Sequence, residues 1–175
     1  MTIPTLNRLR ELKLGGMAHA LQQQQEQPGP YAELSFTERL AMLVEQEHLY
    51  REQKKQSRLL QQAHLKLSAT LQDIDYQHPR NVERSQIAQL AQSEWINRGQ
   101  NLLITGPCGS GKTYLACAFG HNACLHGYSV QYYRLSRLLQ ALTQAKADGS
   151  YPKLLRQLAR IRLLVLDDWG LEPLT

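Results

Sequence analysis

Apolar residues in the first part of the chain recur at the three- and four-residue spacing of a helix. Residues Gly15-Gly16 predict a break or kink in this stripe, and Pro28-Gly29-Pro30 predicts its end. The N-terminal part is therefore predicted to be helical. The stripe consists of Leu6, Leu9, Leu12, Met17 and Leu21.

A second helix is predicted from near Ser35, with Glu38 completing a capping box, to about Ala63. Its second half and the residues just after it are strongly basic, with Glu52 as the single acid. Such a stretch could contact a nucleic-acid backbone, or it could be an ordinary solvated helix face. The basic residues are Arg51, Lys54, Lys55, Arg58 and Lys66.

The pattern changes in the second half of the chain. Residues 67–82 form a predicted linker that contains the His78-Pro79 turn, and a short amphipathic helix is predicted over 82–96. Short apolar runs then alternate with helical patterns, which predicts an α/β fold with a parallel sheet. The predicted strands are 101–105, 129–133 and 162–168, and the predicted helices are 112–126, 135–146 and 151–160. The predicted domains are a helical region at 1–66, the linker at 67–82 and an α/β domain at 83–175.

Composition narrows the class of protein. The net charge of +5 and the pI near 9.2 fit an anionic partner or a mildly basic surface. No run approaches the roughly 20 apolar residues that a membrane span requires, and residues 1–10 lack the features of a secretory signal. Three cysteines without metal-ligand spacing, Cys108, Cys117 and Cys124, fit a reducing cytoplasm.

The most informative segment is residues 106–113, which match the phosphate-loop pattern G-x-x-x-x-G-K-[ST] in full. Its glycines allow backbone N–H groups to approach phosphate oxygens, and the following helix adds its N-terminus. Lys112 would contact the β- and γ-phosphates, and the Thr113 hydroxyl would ligate Mg²⁺. The alternative interpretation is a glycine-rich loop that is followed by Lys112-Thr113 only by chance. The nucleotide-binding candidates are Gly106, Pro107, Cys108, Gly109, Ser110, Gly111, Lys112, Thr113 and Tyr114.

A second acidic element follows the last predicted strand. Leu163 to Leu166 are apolar and end in Asp167-Asp168, which matches the Walker B pattern. A parallel strand carries such carboxylates to the sheet edge where nucleotides bind. Asp167 would hold Mg²⁺, and Asp168 would act with Lys112 in catalysis, as the general base for water.

Taken together, these motifs resemble those of the IstB-like ATPases, helper proteins of one group of bacterial insertion sequences. That family is related to the DnaC helicase loaders within the AAA+ class of phosphate-loop NTPases. The resemblance runs from Leu9 to the last residue. The matching segments are 9–17, 71–75, 95–99, 106–116, 120–123 and 163–174.

The resemblance implies an AAA+ core that uses ATP and Mg²⁺, assembles as a homo-oligomer, binds DNA and stimulates the transposase of the same element. It implies partner and DNA contacts in the N-terminal region and places residues 74–78 beside the adenine. A second basic stretch, with Lys153, Arg156, Arg160 and Arg162, is another candidate DNA contact or a solvated or subunit-facing surface.

The family pattern continues with a sensor strand, an arginine finger and a helical lid, which do not follow Thr175 in this sequence. We therefore expect a C-terminally truncated or frameshifted member, for which the sequence supports ATP binding better than ATP hydrolysis. In the AAA+ class, the strand after Walker B inserts between the Walker A and Walker B strands, in the sheet order 5-1-4-3-2. Without that strand, the strands at 101–105 and 162–166 either leave a gap or pair with each other. The alternative functions are a DnaC-like helicase loader and a non-hydrolysing remnant that binds ATP, DNA or both.

Overall fold

The computed structural model describes residues 2–77 and 83–169, and of residues 2 and 3 only the backbone. The predicted His78-Pro79 turn and residues 170–174 of the family-like run lie outside this part. The packing divides into two compact units, Met1–Lys55 and Gln56–Thr175. The predicted domain boundaries stay predictions. In the described ranges, none of the helices is long and apolar enough to span a membrane.

The described elements are mostly helical, with one small sheet. The helices are α1 (Thr2–Glu11), α2 (Gly15–Glu26), α3 (Phe36–Ala63), α4 (Arg84–Ala91), α5 (Glu94–Asn97), α6 (Lys112–Leu125), α7 (Leu135–Ala147) and α8 (Tyr151–Leu158), with a short 3-10 turn at Gly29–Tyr31. The strands are β1 (Val130–Arg134) and β2 (Leu163–Asp167), which pair in parallel. The predicted α/β core with parallel strands, preceded by a helical region, is confirmed.

The predicted helix starts and stops in the first unit are largely confirmed. The chain leaves α1 after Glu11 and enters α2 at Gly15, so the predicted break lies just before the glycine pair. At the start of α3, the Ser35 N–H donates to the Glu38 carboxylate at 2.8 Å, and the Glu38 N–H donates to the Ser35 hydroxyl at 3.3 Å. These reciprocal bonds are the predicted capping box.

The glycine pair also has a packing role that the apolar pattern does not reveal. The N–H groups of Gly16 and Met17 donate to the Glu47 carboxylate at 2.8 and 3.2 Å, so a side chain from α3 satisfies the first turn of α2. A Cβ on Gly16 would lie 2.6 Å from the Gln46 carbonyl oxygen and 2.7 Å from the Glu47 Cα. Only glycine allows this close approach.

The second unit is built around α6 and the two strands. Its core combines the end of α3 with α5, α6 and both strands. The Gln56 side-chain amide also donates to the Leu125 carbonyl at 2.9 Å, which fixes the C-terminal end of α6 to α3. The buried core residues are Leu59, Ala63, Ile96, Ala123, Cys124, Val130 and Val165.

The predicted helix over 82–96 is wrong in one respect, because it is divided at Ser93. Ser93 is buried and has a positive φ of 61°, which interrupts the helical hydrogen bonds between α4 and α5. The Asn122 amide of α6 donates to the Ala91 carbonyl at 2.7 Å and to the Ser93 hydroxyl at 3.2 Å. The α6 side chain thus provides a hydrogen-bond donor for a carbonyl group at the C-terminal end of α4. Residue 82 lies outside the described part.

Residues 101–105 were predicted as a strand, and that prediction is wrong, since they lie in no strand of the structure. Their side chains alternate between exposed and half-buried, as they would in a strand. Among the described residues, however, β2 pairs with β1 alone, so 101–105 has no ladder partner. Of the two expected outcomes, direct pairing of 101–105 with the last strand does not occur. For the same reason β2 is less buried than its apolar run predicts, with only Val165 buried.

We predict that Gly16→Ala destabilises the first unit, whereas Gly29→Ala does not. The added methyl group at residue 16 collides with the backbone of α3, and overpacking of this kind costs about 1–3 kcal/mol. A Cβ on Gly29 meets nothing within 4 Å, so that control should stay within about 0.5 kcal/mol of the parent chain. Urea unfolding followed by circular dichroism measures both. Equal stability of the two variants would contradict the close packing of α2 on α3.

Candidate nucleotide site

The phosphate-loop sequence forms a turn whose three glycines have backbone conformations that side chains disfavour. The φ angles of Gly106, Gly109 and Gly111 are 155°, 77° and 89°. Gly111 directly precedes α6, whose 14 residues begin at Lys112 without an acidic residue in the first turn. The positive end of the helix dipole thus adjoins the loop. A Cβ on Gly109 would meet nothing within 4 Å, so this part of the loop is open.

The Lys112 side chain folds back over this loop. Its ammonium donates to the carbonyl oxygens of Gly106 at 2.9 Å and Pro107 at 2.7 Å. Both acceptors are neutral, so an anionic phosphate oxygen would be a stronger partner for the same ammonium. The arrangement fits a ligand of the phosphate class.

The predicted metal-binding residues are in direct contact. The Thr113 hydroxyl donates to the Asp167 carboxylate, at 2.9 Å to Oδ2 and 3.2 Å to Oδ1. Thr113 lies in the first turn of α6 and Asp167 ends β2, 54 residues later. A hydroxyl and a carboxylate are the hard oxygen ligands that Mg²⁺ prefers, so this pair fits the ion.

Asp167 also contacts two residues that were not predicted to belong to this site. The Tyr132 hydroxyl of β1 donates to Asp167 Oδ2 at 2.6 Å, and the Lys66 ammonium lies 3.7 Å from the same oxygen. Burial alone would raise the pKa of Asp167, but the hydrogen bonds from Tyr132 and Thr113 and the charge of Lys66 hold that pKa below its usual value. Burial, and then the bond to Asp167, raises the pKa of Tyr132. Asp167 is therefore a carboxylate at neutral pH, as a cation ligand must be.

Asp168 lies in a different environment from Asp167. Its φ of 59° places it in the left-handed region, and its carboxylate pairs with the Arg134 guanidinium at 3.6 Å. The structure thus brings Thr113 and Asp167 together and directs Asp168 to the end of β1. Arg134 is a third residue that the sequence did not assign to the site, because only the strand register, Arg134 opposite Asp167, brings it near.

The remaining candidates lie around the loop and the first turn of α6. Ser110 is half-buried, and its side chain lies next to Gly106, where an added Cβ would meet it at 3.0 Å. The Tyr114 hydroxyl donates to the Thr70 carbonyl at 3.3 Å, so this residue contacts the segment after α3. Cys108 is exposed. Of residues 74–78, expected beside the adenine, His78 lies outside the described part, and the position of the adenine stays a prediction.

Similarity to known proteins identifies the family of this chain. The sequence profile of a family described as "IstB-like ATP binding protein" matches residues 7–175. The chain belongs to this IstB-like family. The resemblance predicted from the motifs is therefore confirmed.

Named relatives agree with this family. The chain is 49% identical, over 99% of its length and 75% of the relative's, to a Pseudomonas fluorescens protein whose name assigns it to insertion sequence IS1162 and to ATP binding. It is 42% identical, over 98% of its length and 69% of the relative's, to an insertion-sequence protein of Sinorhizobium fredii that is also named for ATP binding. An IS21 protein of Pseudomonas aeruginosa, with an ATP-binding name as well, is 32% identical over 95% of this chain and 62% of its own length.

We predict that one of the three thiols reacts rapidly with iodoacetamide in the native IstB-like chain. Cys108 is exposed, whereas burial raises the pKa of Cys117 and raises that of Cys124 to about 11, which suppresses the reactive thiolate. Mass spectrometry after brief labelling should show modification at Cys108, and all three cysteines should react in urea. A Cys108→Ser control should remove the fast reaction. Rapid native labelling of Cys117 or Cys124 would contradict their placement in the core.

Proposed function

We propose that this chain binds ATP together with Mg²⁺ and serves as a helper protein in DNA transposition. The observation that carries the nucleotide part is the contact between Thr113, at the start of the phosphate-loop helix, and Asp167, at the end of β2. This contact puts a hydroxyl and a carboxylate beside a glycine-rich, cationic turn. The transposition part rests on the IstB-like family and on relatives named for insertion sequences.

The loop and Lys112 would bind the phosphates. Backbone N–H groups of the turn and the N-terminus of α6 favour an anion, and the Lys112 ammonium would exchange two neutral carbonyl partners for a charged oxygen. Thr113 and Asp167 would hold Mg²⁺. When bound, that ion neutralises phosphate charge. The adjoining residues Gly106–Ser110 and Tyr114 would complete the phosphate and nucleotide contacts.

Asp168 is the residue that we assign to the activation of water. Its carboxylate is partly exposed and is separated from the metal-binding pair, so it can accept a proton without giving up a metal ligand. In the present arrangement its Oδ2 is paired with Arg134 at 3.6 Å, and opening of that ion pair would free both carboxylate oxygens. Such a partly exposed pair is worth about 0–1 kcal/mol, which nucleotide or DNA binding can readily overcome.

DNA is the anionic partner that we propose for the basic stretches of the chain. In the first stretch, Lys54 and Lys55 are exposed in the first unit and Arg58 in the second, whereas Arg51 is exposed but paired with Glu47 at 2.6 Å. Lys66, the fifth basic residue of that stretch, instead lies at Asp167. In the second stretch, Lys153, Arg156, Arg160 and Arg162 have no carboxylate partner among the described residues. Cations without local counter-ions are available to phosphates.

The remaining parts of the proposal follow from the family. The protein partner would be the transposase of the same insertion element. The chain would act as a homo-oligomer, and it would be located in the cytoplasm. A DnaC-like helicase loader is the alternative with the same nucleotide chemistry. A transposase gene beside the coding sequence favours the transposition helper, whereas a replication gene there favours the loader.

We predict that Lys112→Ala and Asp168→Asn have different effects on nucleotide. Lys112→Ala removes the ammonium that binds phosphate and should weaken ATP binding strongly or abolish it. Asp168→Asn should leave binding largely intact and remove any hydrolysis. Fluorescent ATP-analogue titration and phosphate release, each with and without DNA, measure the two properties.

The same assays separate the alternatives. Tight binding without DNA-stimulated phosphate release in the parent chain would favour the non-hydrolysing remnant over the active helper. Equal loss of binding in both variants would contradict the separate roles of Lys112 and Asp168. A Lys146→Ala variant, in which the lysine removed lies outside the site at the end of α7, is the matched control and should bind like the parent.

We predict that charge removal in the second basic stretch weakens DNA binding uniformly across sequences. The logarithm of the DNA-binding constant falls linearly with the logarithm of the salt concentration, and each lost phosphate contact makes this slope shallower by about one. The double variant Lys153→Gln with Arg156→Gln should therefore make the slope shallower by about two. Fluorescence anisotropy with labelled duplexes at several salt concentrations measures the slope. A matched pair, Lys54→Gln with Lys55→Gln, tests the first stretch. If neither pair changes the slope, neither stretch contacts DNA.

A further inference from the structure

The two oxygens of the Asp167 carboxylate are held very differently. Oδ2 accepts hydrogen bonds from Tyr132 at 2.6 Å and from Thr113 at 2.9 Å, and the Lys66 ammonium lies 3.7 Å away. Oδ1 accepts the longer hydrogen bond from Thr113, at 3.2 Å, and no hydrogen bond from Tyr132. The carboxylate is thus fixed through one oxygen, and the other oxygen remains available.

Tyr132 is the donor best suited to fix this carboxylate. Thr113 is itself proposed as a metal ligand, so its hydroxyl cannot be assigned to Asp167 alone. The Lys66 ammonium is at ion-pair distance and carries a charge that opposes a bound cation. The Tyr132 hydroxyl is neutral, donates at the shortest distance and needs no rearrangement when a cation arrives.

The backbone and core hold Tyr132 in this position. It lies in the middle of β1, paired in register with Val165 of β2, two residues before Asp167. Its ring packs against both core clusters of the second unit, including Cys117 and Ala118 of α6. A hydroxyl on a packed ring in a paired strand has little freedom, so its direction is set before any ligand binds.

We propose that Tyr132 is a positioning residue for the Mg²⁺–nucleotide site, holding Asp167 by Oδ2 so that Oδ1 is directed to the metal ion or its water. This inference rests on the proposed function. Groups that orient a metal ligand from behind commonly contribute about 10–100-fold to metal affinity. The role is distinct from catalysis, since Tyr132 acts through Asp167 and contacts neither nucleotide nor metal.

The test compares Tyr132→Phe with Tyr133→Phe, its neighbour on β1. Both changes remove one hydroxyl and keep the ring, but the Tyr133 hydroxyl makes no hydrogen bond within the described part of the chain. A fluorescent ATP analogue is titrated in excess EDTA and over a series of Mg²⁺ concentrations. Thermal unfolding without nucleotide checks that each variant is folded.

The expected result is specific to the metal. Tyr132→Phe should bind nucleotide in EDTA like the parent chain, but should require about 10-fold more Mg²⁺ to reach the Mg²⁺-dependent affinity. Saturating Mg²⁺ should restore that affinity, which damage to the fold would not permit. Tyr133→Phe should match the parent throughout.

Two outcomes would overturn the inference. One is an unchanged Mg²⁺ requirement in Tyr132→Phe. The other is an equal loss of affinity with and without Mg²⁺, including a loss through unfolding, which would make Tyr132 a core residue only. A parent chain that binds no nucleotide at any Mg²⁺ concentration would instead refute the proposed function itself, so the two failures are distinguishable.

Discussion

The hydrogen bonds between Thr113 and Asp167 are the contact on which the rest of the site depends. They join the first turn of α6 to the end of β2, two points 54 residues apart in the chain. For them to form, α6 must pack closely on the sheet, and its buried face consists largely of small residues, Cys117, Ala118, Gly120 and Ala123. A Cβ on Gly120 would lie 3.5 Å from a Val130 methyl group of β1 and 2.9 Å from a methyl group of Leu65, in the segment after α3. Small side chains on α6 therefore permit the approach that unites the loop with the acidic strand.

The segment after α3 is the other element that the site requires. Leu65 and Ala69 pack against α6, the Tyr114 hydroxyl bonds to the Thr70 carbonyl, and Lys66 reaches Asp167. This segment begins where Ala63 ends α3, and Lys66, three residues later, lies 3.7 Å from Asp167 Oδ2. Its apolar residues complete the core beside α6, and its lysine compensates the charge of a mostly buried acid. One short connection thus serves both packing and electrostatics.

The sequence predicts local features of this chain well and its long-range pairings poorly. The capping box of α3, the break before Gly15 and the start of α6 at Lys112 all follow from residues a few positions apart. The strand at 101–105 does not form, and Leu103, in the middle of its apolar run, is 83% exposed. Periodicity reports which side chains face the core, whereas a strand also needs a neighbour for its N–H and C=O groups. Tyr132, Arg134 and Lys66 were missed for the same reason, since register and packing bring them to the aspartates.

The adjacent carboxylates Asp167 and Asp168 can have separate roles because the backbone turns between them. Asp167 ends the strand and faces Tyr132, Thr113 and Lys66, with 12% of its side chain exposed. Asp168 adopts a φ of 59°, which for aspartate is uncommon but tolerated, and thereby meets Arg134 with 38% of its side chain exposed. Each acid has its own cation, so the charge of one is compensated without the other. A continued strand would also place successive side chains on opposite faces, but it would keep Asp168 in the ladder. The turn releases Asp168 from the sheet, and a carboxylate that is to exchange a proton with water needs that access to solvent.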